Sequence, residues 1–193
     1  MLTTDPYDIV LGSQSPRRKE LLQQLNIPFR QEVKPIDEQY PDNIRIEDIA
    51  IYLAQKKGEV FMDNIDNQTL VITADTIVSN DHKVLEKPKD AQHAFDMLKS
   101  LSGGIHEVYS GVAITSTSGQ TCFYDTTKVH FRALEDEEIN YYIDTCQPYD
   151  KAGAYGIQEW IGHIGVEKIE GSFYTVMGLP IHQLYSALRQ ILK

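Results

Sequence analysis

The sequence predicts a mixed α/β fold in one domain that spans residues 1–193. Strand and helix signals alternate along the whole chain, which is the pattern of α/β proteins. At 193 residues, the chain is long enough to bury a hydrophobic core. Two long strand patterns, 106–115 and 121–131, flank a Ser118-Gly119 turn and indicate an antiparallel pair. We therefore expect a mixed sheet with flanking helices, not a purely parallel one.

The first elements follow from short apolar runs and a capping signal. Residues 9–11 form a buried strand pattern, and 29–33 has an extended one. Between them, Ser15 is a suitable N-cap and Pro16 suits the first position of a short helix. Further helices are predicted over 47–61, after the Asp90 cap, over 134–145 and over 179–192, and further strands over 70–74, 84–85 and 164–169.

Composition excludes several classes of partner. The formal charge of −10 argues against a nucleic-acid polymer, because such binding needs a broad basic surface. A nucleotide stays open, since a small polyanion needs only a local cationic pocket. No apolar run approaches the roughly 20 residues of a membrane span, and the first seven residues lack the basic residue of a secretory signal. Cys122 and Cys146 have no paired spacing, which predicts reduced thiols in a cytoplasmic protein.

The segment Ser13 to Arg18 has the pattern of an anion site. Arg17 and Arg18 fall in the first turn of the predicted helix, where free backbone N–H groups and the helix dipole disfavour cations. Two arginines are reasonable there if an anion such as phosphate lies between them. The alternative is a solvated pair on an exposed turn.

Several charged residues elsewhere could complete such a site. Asp75 follows a predicted buried strand, and with Glu38 it could hold a divalent metal through oxygen ligands. Asp75 could equally cap the next turn. Lys57 lies late in its helix and Lys87 precedes a proline, and each alone is also consistent with an ordinary surface lysine.

Seven segments, in their order along the chain, resemble the Maf family of nucleoside triphosphate pyrophosphatases. The resemblance covers nearly the whole sequence, and the segments together are far more specific than any one of them. They are Ser13-x-Ser15-Pro16-Arg17-Arg18, Leu53-Ala54-x-x-Lys57, Ala74-Asp75-Thr76-x-Val78, Lys87-Pro88, Leu101-Ser102-Gly103, Asp150 to Gln158, and Gly171-Ser172 with Gly178-Leu179-Pro180.

The resemblance implies a fold, a reaction and roles for residues. The fold would be similar to that of inosine triphosphatases, elongated and two-lobed with a central cleft. The reaction would release pyrophosphate from a nucleoside triphosphate with Mg²⁺ or Mn²⁺. Asp75 matches the family's proton acceptor, and Arg17, Thr76 and Gln158 match positions linked to base specificity, here of the subfamily acting on dTTP and UTP. We accordingly expect Asp75, Lys57 and Lys87 to be catalytic, Ser13, Ser15, Arg17, Arg18, Thr76 and Gln158 to bind substrate, and Glu38 with Asp75 to bind the metal.

Two departures and two rival functions accompany this interpretation. Phe173 stands where tyrosine is common in the family, and residues 159–163 replace a more usual Gly-rich stretch. One rival is a purine-directed enzyme that removes non-canonical nucleotides. The other is a nucleotide-sensing regulator of septum formation that does not need turnover, since relatives in the family are associated with septum formation. The enzyme itself could also be linked to cell-division arrest. A homodimer is the one assembly that we keep open.

Overall fold

A computed structural model describes residues 2–192 and confirms the mixed α/β class. Its seven-stranded sheet has the order β2-β1-β3-β5-β6-β7, and β4 pairs with β3 outside this path. The strands are β1 (Asp8–Leu11), β2 (Arg30–Gln31), β3 (Thr69–Asn80), β4 (Lys83–Leu85), β5 (Ile105–Ser116), β6 (Gly119–Phe131) and β7 (Val166–Glu170). The α-helices are α1 (Pro16–Gln23), α2 (Ile46–Glu59), α3 (Ala91–Leu101), α4 (Asp136–Cys146), α5 (Trp160–Gly165), α6 (Phe173–Met177) and α7 (Ile181–Ile191). Short 3₁₀ turns cover Met62–Asn64 and Ala152–Ala154.

Strand β1 lies between two parallel neighbours. Val10 is opposite Arg30 of β2 and Val71 of β3. Ile9, Val10 and Leu11 are all buried, as expected for an inner parallel strand that has both faces covered. The predicted strand at residues 9–11 is therefore confirmed.

Strand β3 extends well beyond its predicted end. The apolar run 70–74 predicted a strand that stops at Asp75, but the strand continues to Asn80. Val78, Ser79 and Asn80 pair with β4, and this pairing keeps the chain extended. Asp75 therefore lies inside a strand, and the prediction that it follows the strand's end was wrong. Asp75 and Thr76 are the only partly exposed residues in the run 69–79.

The chain clusters into two compact units. The first comprises residues 1–75, 110–125 and 178–193, and the second comprises 76–109 and 126–177. The division falls between Asp75 and Thr76, within β3. The elongated outline and the cleft stay predictions. Across residues 2–192, no helix combines the length and apolar character that a membrane span requires.

The helix predictions are largely confirmed, with two omissions. Asp90 caps α3, where its side chain accepts a hydrogen bond from the His93 amide at 2.8 Å. Helix α4 buries Ile139, Tyr142 and Ile143, as its spacing predicts. The short helices α5 and α6 were not predicted, because five or six residues are too few to give a helical period.

Candidate active site

The turn from β1 into α1 is organised by two serines. Ser15 is the N-cap of α1, and its hydroxyl oxygen accepts a hydrogen bond from the Arg18 amide at 3.4 Å. The buried Ser13 hydroxyl accepts one from the Ser15 amide at 3.2 Å. Pro16 occupies the first helical turn, as predicted. The cap therefore fixes Arg17 and Arg18 in the first turn of α1.

The Arg18 side chain is tied down at two points. Its Nε donates to the Gly178 carbonyl oxygen at 2.8 Å, and its Nη1 donates to Ser13 Oγ at 3.4 Å. Gln31 of β2 holds the same turn, because its Nε2 donates to the Ser13 carbonyl oxygen at 2.5 Å. Gln31 has no local signal in the sequence, since its contact spans 18 residues. These bonds orient the guanidinium before any anion arrives.

Lys57 joins the two carboxylates that were predicted to bind a metal. Its Nζ lies 2.5 Å from Asp75 Oδ1 and 2.8 Å from Glu38 Oε1. The side chains of Lys57 and Asp75 are only 17% and 14% exposed, whereas that of Glu38 is 52% exposed. The group is therefore mostly shielded from water at Asp75 and open at Glu38.

Helix α2 packs closely on the sheet, and this packing brings Lys57 next to Asp75. The Thr73 hydroxyl donates to the Ala54 carbonyl oxygen of α2 at 2.7 Å. Thr73 and Asp75 share one face of β3, because side chains alternate along a strand. On α2, Ala54 and Lys57 are three residues apart and so lie on one side of the helix. The pairs Thr73–Ala54 and Asp75–Lys57 therefore form successive contacts between the same strand and helix. Thr73, like Gln31, was missed from the sequence.

Charge at this cluster is locally positive in an acidic protein. Lys57 contacts the carboxylates of Glu38 and Asp75, and Arg18 interacts with both of these charges and with Arg17, while the whole chain carries −10. Burial lowers the pKa of Arg18, Arg17 adds to that effect, and the charges of Asp75 and Glu38 oppose it. We take the guanidinium as charged, because arginine keeps its proton in proteins. An incoming anion would relieve the repulsion between the two arginines.

The two carboxylates also suit a hard divalent cation. Asp75 and Glu38 converge on one cation, the Lys57 ammonium, so their oxygens face a common point. Mg²⁺ is commonly held by one or two carboxylates and completes its shell with water and substrate phosphate oxygens. Among residues 2–192, no group of three or more histidine, cysteine or acidic side chains is placed to bind a metal. The residues therefore fit an ion shared with a phosphate, not a cage made by the protein alone.

The remaining predicted residues belong to the second unit, where each is described by itself. Thr76 is partly exposed and Lys87 is exposed, ahead of the buried Pro88. Gln158 lies in a tight turn in which the Glu159 amide donates to the Gly156 carbonyl oxygen at 3.0 Å. Its Oε1 is buried and accepts no hydrogen bond from any of residues 2–192. Seven predicted residues share the first unit: Ser13, Ser15, Arg17, Arg18, Glu38, Lys57 and Asp75.

Comparison with known proteins identifies a family and close relatives. The family model described as Maf-like protein matches residues 8–191. A dTTP/UTP pyrophosphatase of Bacteroides fragilis (strain YCH46) is 48% identical over 188 residues, which are 97% of each chain. A dTTP/UTP pyrophosphatase of Porphyromonas gingivalis (strain ATCC 33277) is 50% identical over 186 residues, 95% of this chain and 94% of that one.

A solved structure also matches at low similarity. It is a nucleoside-triphosphatase, dITP/XTP pyrophosphatase, from Mycobacterium abscessus. The match has a TM-score of 0.40 and 15% sequence identity, and it covers 66% of this chain and 75% of that one.

Proposed function

The chain belongs to the Maf-like protein family, and from that premise we propose that it hydrolyses nucleoside triphosphates to the monophosphate and pyrophosphate. The preferred substrates are dTTP and UTP, as the names of the relatives at 48–50% identity suggest. The proposal assigns residues 1–193 to one catalytic domain in the cytoplasm, with both cysteines as free thiols.

The observation that carries the proposal is the set of cations around Asp75. A triphosphate brings about four negative charges, and phosphoryl transfer depends on positioned positive groups more than on covalent chemistry. Arg18 is held in place before binding by Ser13 and Gly178, so little reorganisation is needed. Lys57 contacts the Asp75 carboxylate, which also interacts with Arg18.

The reaction places the incoming water on the α-phosphorus. The water oxygen forms a bond to that phosphorus, while the bond from the phosphorus to the bridging oxygen breaks. Pyrophosphate leaves with the electron pair, and the proton of the water passes to the Asp75 carboxylate. Arg17, Arg18 and Lys57 would offset the charge on the triphosphate. This assignment follows the family's proton acceptor, and a direct role of Asp75 as metal ligand is the alternative.

A divalent cation is part of the proposal. Glu38 would hold it, and Asp75 would be its second ligand where Asp75 does not act as the base, since both present oxygens to one point. A carboxylate is a far weaker base than hydroxide, so it removes a proton from free water only poorly. A bound Mg²⁺ or Mn²⁺ would lower the pKa of the water and neutralise phosphate charge.

Lys87 and Thr76 enter through the family resemblance. We assign Lys87 to charge stabilisation on the phosphates and Thr76 to base selection. Replacing Lys87 by alanine should mainly lower kcat, because a contact that strengthens in the transition state affects turnover more than KM. Unchanged kinetics would remove Lys87 from the site.

Gln158 is the proposed reader of the base. Thymine and uracil present an N3–H donor between two carbonyl acceptors. The Gln158 amide offers one acceptor and two donor hydrogens, so it can match two neighbouring groups on that edge. Its Oε1 is buried and has no hydrogen-bond partner among residues 2–192. The oxygen would accept from N3–H once the side chain turns towards the base.

Product analysis tests the reaction. The protein is incubated with Mg²⁺ and separately with dTTP, UTP, CTP, ATP, GTP and ITP, and products are separated by chromatography. We expect pyrophosphate and the monophosphate, fastest from dTTP and UTP. Orthophosphate as the first product, or no turnover of any triphosphate, would contradict the proposal. ITP as the best substrate would favour the purine-directed alternative.

A substitution tests the base reader. Gln158→Leu should cost roughly 1–3 kcal/mol towards dTTP and UTP, about 5- to 150-fold in kcat/KM, because a polar edge loses its partner. ATP hydrolysis should change much less. Gln190→Leu, at an exposed glutamine of α7, is the matched control and should leave kcat/KM unchanged. An equal loss for all nucleotides would make Gln158 structural.

A further inference from the structure

The turn that carries Gln158 is held at both of its ends by a single hydroxyl. The Tyr142 hydroxyl oxygen accepts a hydrogen bond from the Gly156 amide at 3.0 Å. The same hydroxyl donates to Glu159 Oε2. Gly156 and Glu159 are the first and last residues of the turn, and Gln158 lies between them. All four residues belong to the second unit.

Tyr142 is suited to holding this turn because its side chain is fully buried and does not ionise easily. It is fully buried on the face of α4 that also carries Ile139 and Ile143. Burial raises its pKa above the ordinary value, and the bond to Glu159 raises it further. The hydroxyl therefore keeps its proton and stays a donor to the carboxylate at neutral pH.

Glu159 is fixed from its other oxygen. Lys151 Nζ lies 3.1 Å from Glu159 Oε1 and 2.7 Å from Asp150 Oδ1, and the Lys151 side chain is only 8% exposed. Lys151 and Glu159 bracket the segment 152–158, so the ion pair closes this segment at its two ends. The Glu159 carboxylate thus has a buried partner on each oxygen.

The Gln158 amide lies close to Gly156, one of the two residues that the Tyr142 hydroxyl binds. A Cβ atom at Gly156 would lie 2.9 Å from Gln158 Nε2 and 2.8 Å from Glu159 Cδ. The Gln158 side chain therefore folds back over Gly156, beside the Glu159 carboxylate. Gln158 Oε1 is buried here and has no hydrogen-bond partner among residues 2–192. A buried carbonyl oxygen without a partner costs about 1–3 kcal/mol, so this amide gains a hydrogen bond when it turns from the fixed backbone towards a ligand.

We propose that Tyr142 is a positioning residue for base selection: its hydroxyl, bound to Gly156 and Glu159, fixes the turn so that the Gln158 amide meets the N3–H edge of a pyrimidine. The inference rests on the proposed function. Tyr142 does not contact the nucleotide and acts through Gln158. Removing its hydroxyl should therefore change the choice between bases, not the chemistry at phosphorus.

UTP and CTP form the sharpest pair of substrates for the test. They share ribose and triphosphate, and only uracil has an N3–H donor. Steady-state kcat and KM are measured for both with wild type, Tyr142→Phe and Tyr141→Phe. Tyr142→Phe should lower the UTP/CTP ratio of kcat/KM by roughly fivefold, the equivalent of one hydrogen bond, mainly through a higher KM for UTP. Tyr141→Phe removes a neighbouring hydroxyl on an exposed side chain of the same helix and should leave the ratio unchanged.

A second variant keeps the test decisive if Tyr142→Phe does not fold. Glu159→Ala removes the other partner of the hydroxyl at a side chain that is 23% exposed, and should lower the ratio similarly. If the UTP/CTP ratio of kcat/KM is unchanged in both variants, whether or not both substrates lose activity equally, the positioning role is overturned. Turnover of UTP by wild type would in that case still uphold the proposed function. No turnover by wild type overturns both.

Discussion

Two lysines of this chain have nearly the same immediate surroundings. The Lys57 ammonium contacts Asp75 and Glu38, and the Lys151 ammonium contacts Asp150 and Glu159. Both are mostly buried, and each has one carboxylate that is more than half exposed, on Glu38 and Asp150. Ion pairs of this kind could serve either structure or chemistry, so the pairs themselves do not distinguish the two sites.

The difference lies in the next neighbours. Arg18 interacts with Asp75 and Glu38 of the Lys57 cluster and with its neighbour Arg17, so that cations outnumber carboxylates by three to two among these residues. At Lys151 one cation faces two carboxylates, and Glu159 is bound further by Tyr142. A cluster with excess positive charge can accept an anion, whereas a cluster whose carboxylates already have partners mainly holds its own segment. The charges next to each ion pair therefore separate a candidate catalytic lysine from a positioning one.

The largest expected effect is a loss of turnover on replacing Asp75, and the matching carboxylate of the other cluster, Asp150, is the control. Asp75→Asn should lower kcat by roughly 10²- to 10⁴-fold, the usual loss for a general base, while nucleotide binding persists. Asp150→Asn removes the corresponding partner of Lys151 and should change kcat by no more than about twofold, since exposed ion pairs contribute little. Pyrophosphate release gives kcat, and calorimetric titration with UTP gives binding. Unchanged turnover in Asp75→Asn would refute the role of Asp75.

Much of the fold follows from local pattern, and much of the site does not. The serine cap, the α4 core face and the β1 strand were predicted because spacing within a few residues determines them. The end of β3 was misjudged because Asp75 and Thr76 look like a strand end, while pairing with β4 lies further along the chain.

The contacts that position the site join distant parts of the sequence. Gly178 meets Arg18 across 160 residues, and Tyr142 meets Glu159 across 17. No periodicity or capping rule contains such information. Lys57, Lys87 and Gln158 were identified through the order of family segments, and the structure shows Lys57 in contact with Asp75.

Acid should destabilise the fold through a buried residue of the second unit. Burial lowers the pKa of His106 to about 4, from an ordinary value of 6.5, and its Nε2 lies 2.7 Å from the Tyr155 hydroxyl. Below pH 6.5 the unfolded chain binds a proton that the folded chain excludes, so stability falls as pH drops from 6.5 to 4. The full loss is about 3 kcal/mol.

Urea unfolding of wild type and His106→Gln between pH 7 and pH 4 measures this loss. The variant should be less stable at pH 7 and should show a smaller decline on acidification. Parallel declines in the two proteins would mean that His106 does not titrate with unfolding.

Replacing each lysine by methionine should separate stability from turnover. Lys151→Met leaves Glu159 without its cation and should cost roughly 2 kcal/mol, less than the 3–5 kcal/mol of a fully buried pair because Glu159 is partly exposed. Lys57→Met should lose less stability, because Arg17 and Arg18 still offset its carboxylates, but should lower kcat for UTP more than tenfold. Urea midpoints and initial rates report the two quantities. A similar profile for both variants would remove the distinction between the clusters.

The smallest effect concerns how closely α2 must approach the sheet to bring Lys57 to Asp75. A Cβ at Gly58 would lie 2.2 Å from Thr115 Oγ1 and 2.7 Å from Gln120 Nε2, so one of these side chains must shift. Overpacking costs about 1–3 kcal/mol, but alanine gains up to about 1 kcal/mol over glycine within a helix. Gly58→Ala should therefore lose about 1 kcal/mol, measured by urea unfolding.

The matched change is Gly104→Ala. There the added Cβ meets only the Leu101 carbonyl oxygen, at 3.5 Å, so stability should not fall. Gly58 directly follows Lys57, so its substitution should also move the Lys57 ammonium. We therefore expect Gly58→Ala to lower kcat for UTP even at temperatures where the variant is fully folded. A stable Gly58→Ala protein with full turnover would show that Lys57 reaches Asp75 without close packing of α2, and the contrast with the tightly held Lys151 would then rest on charge alone.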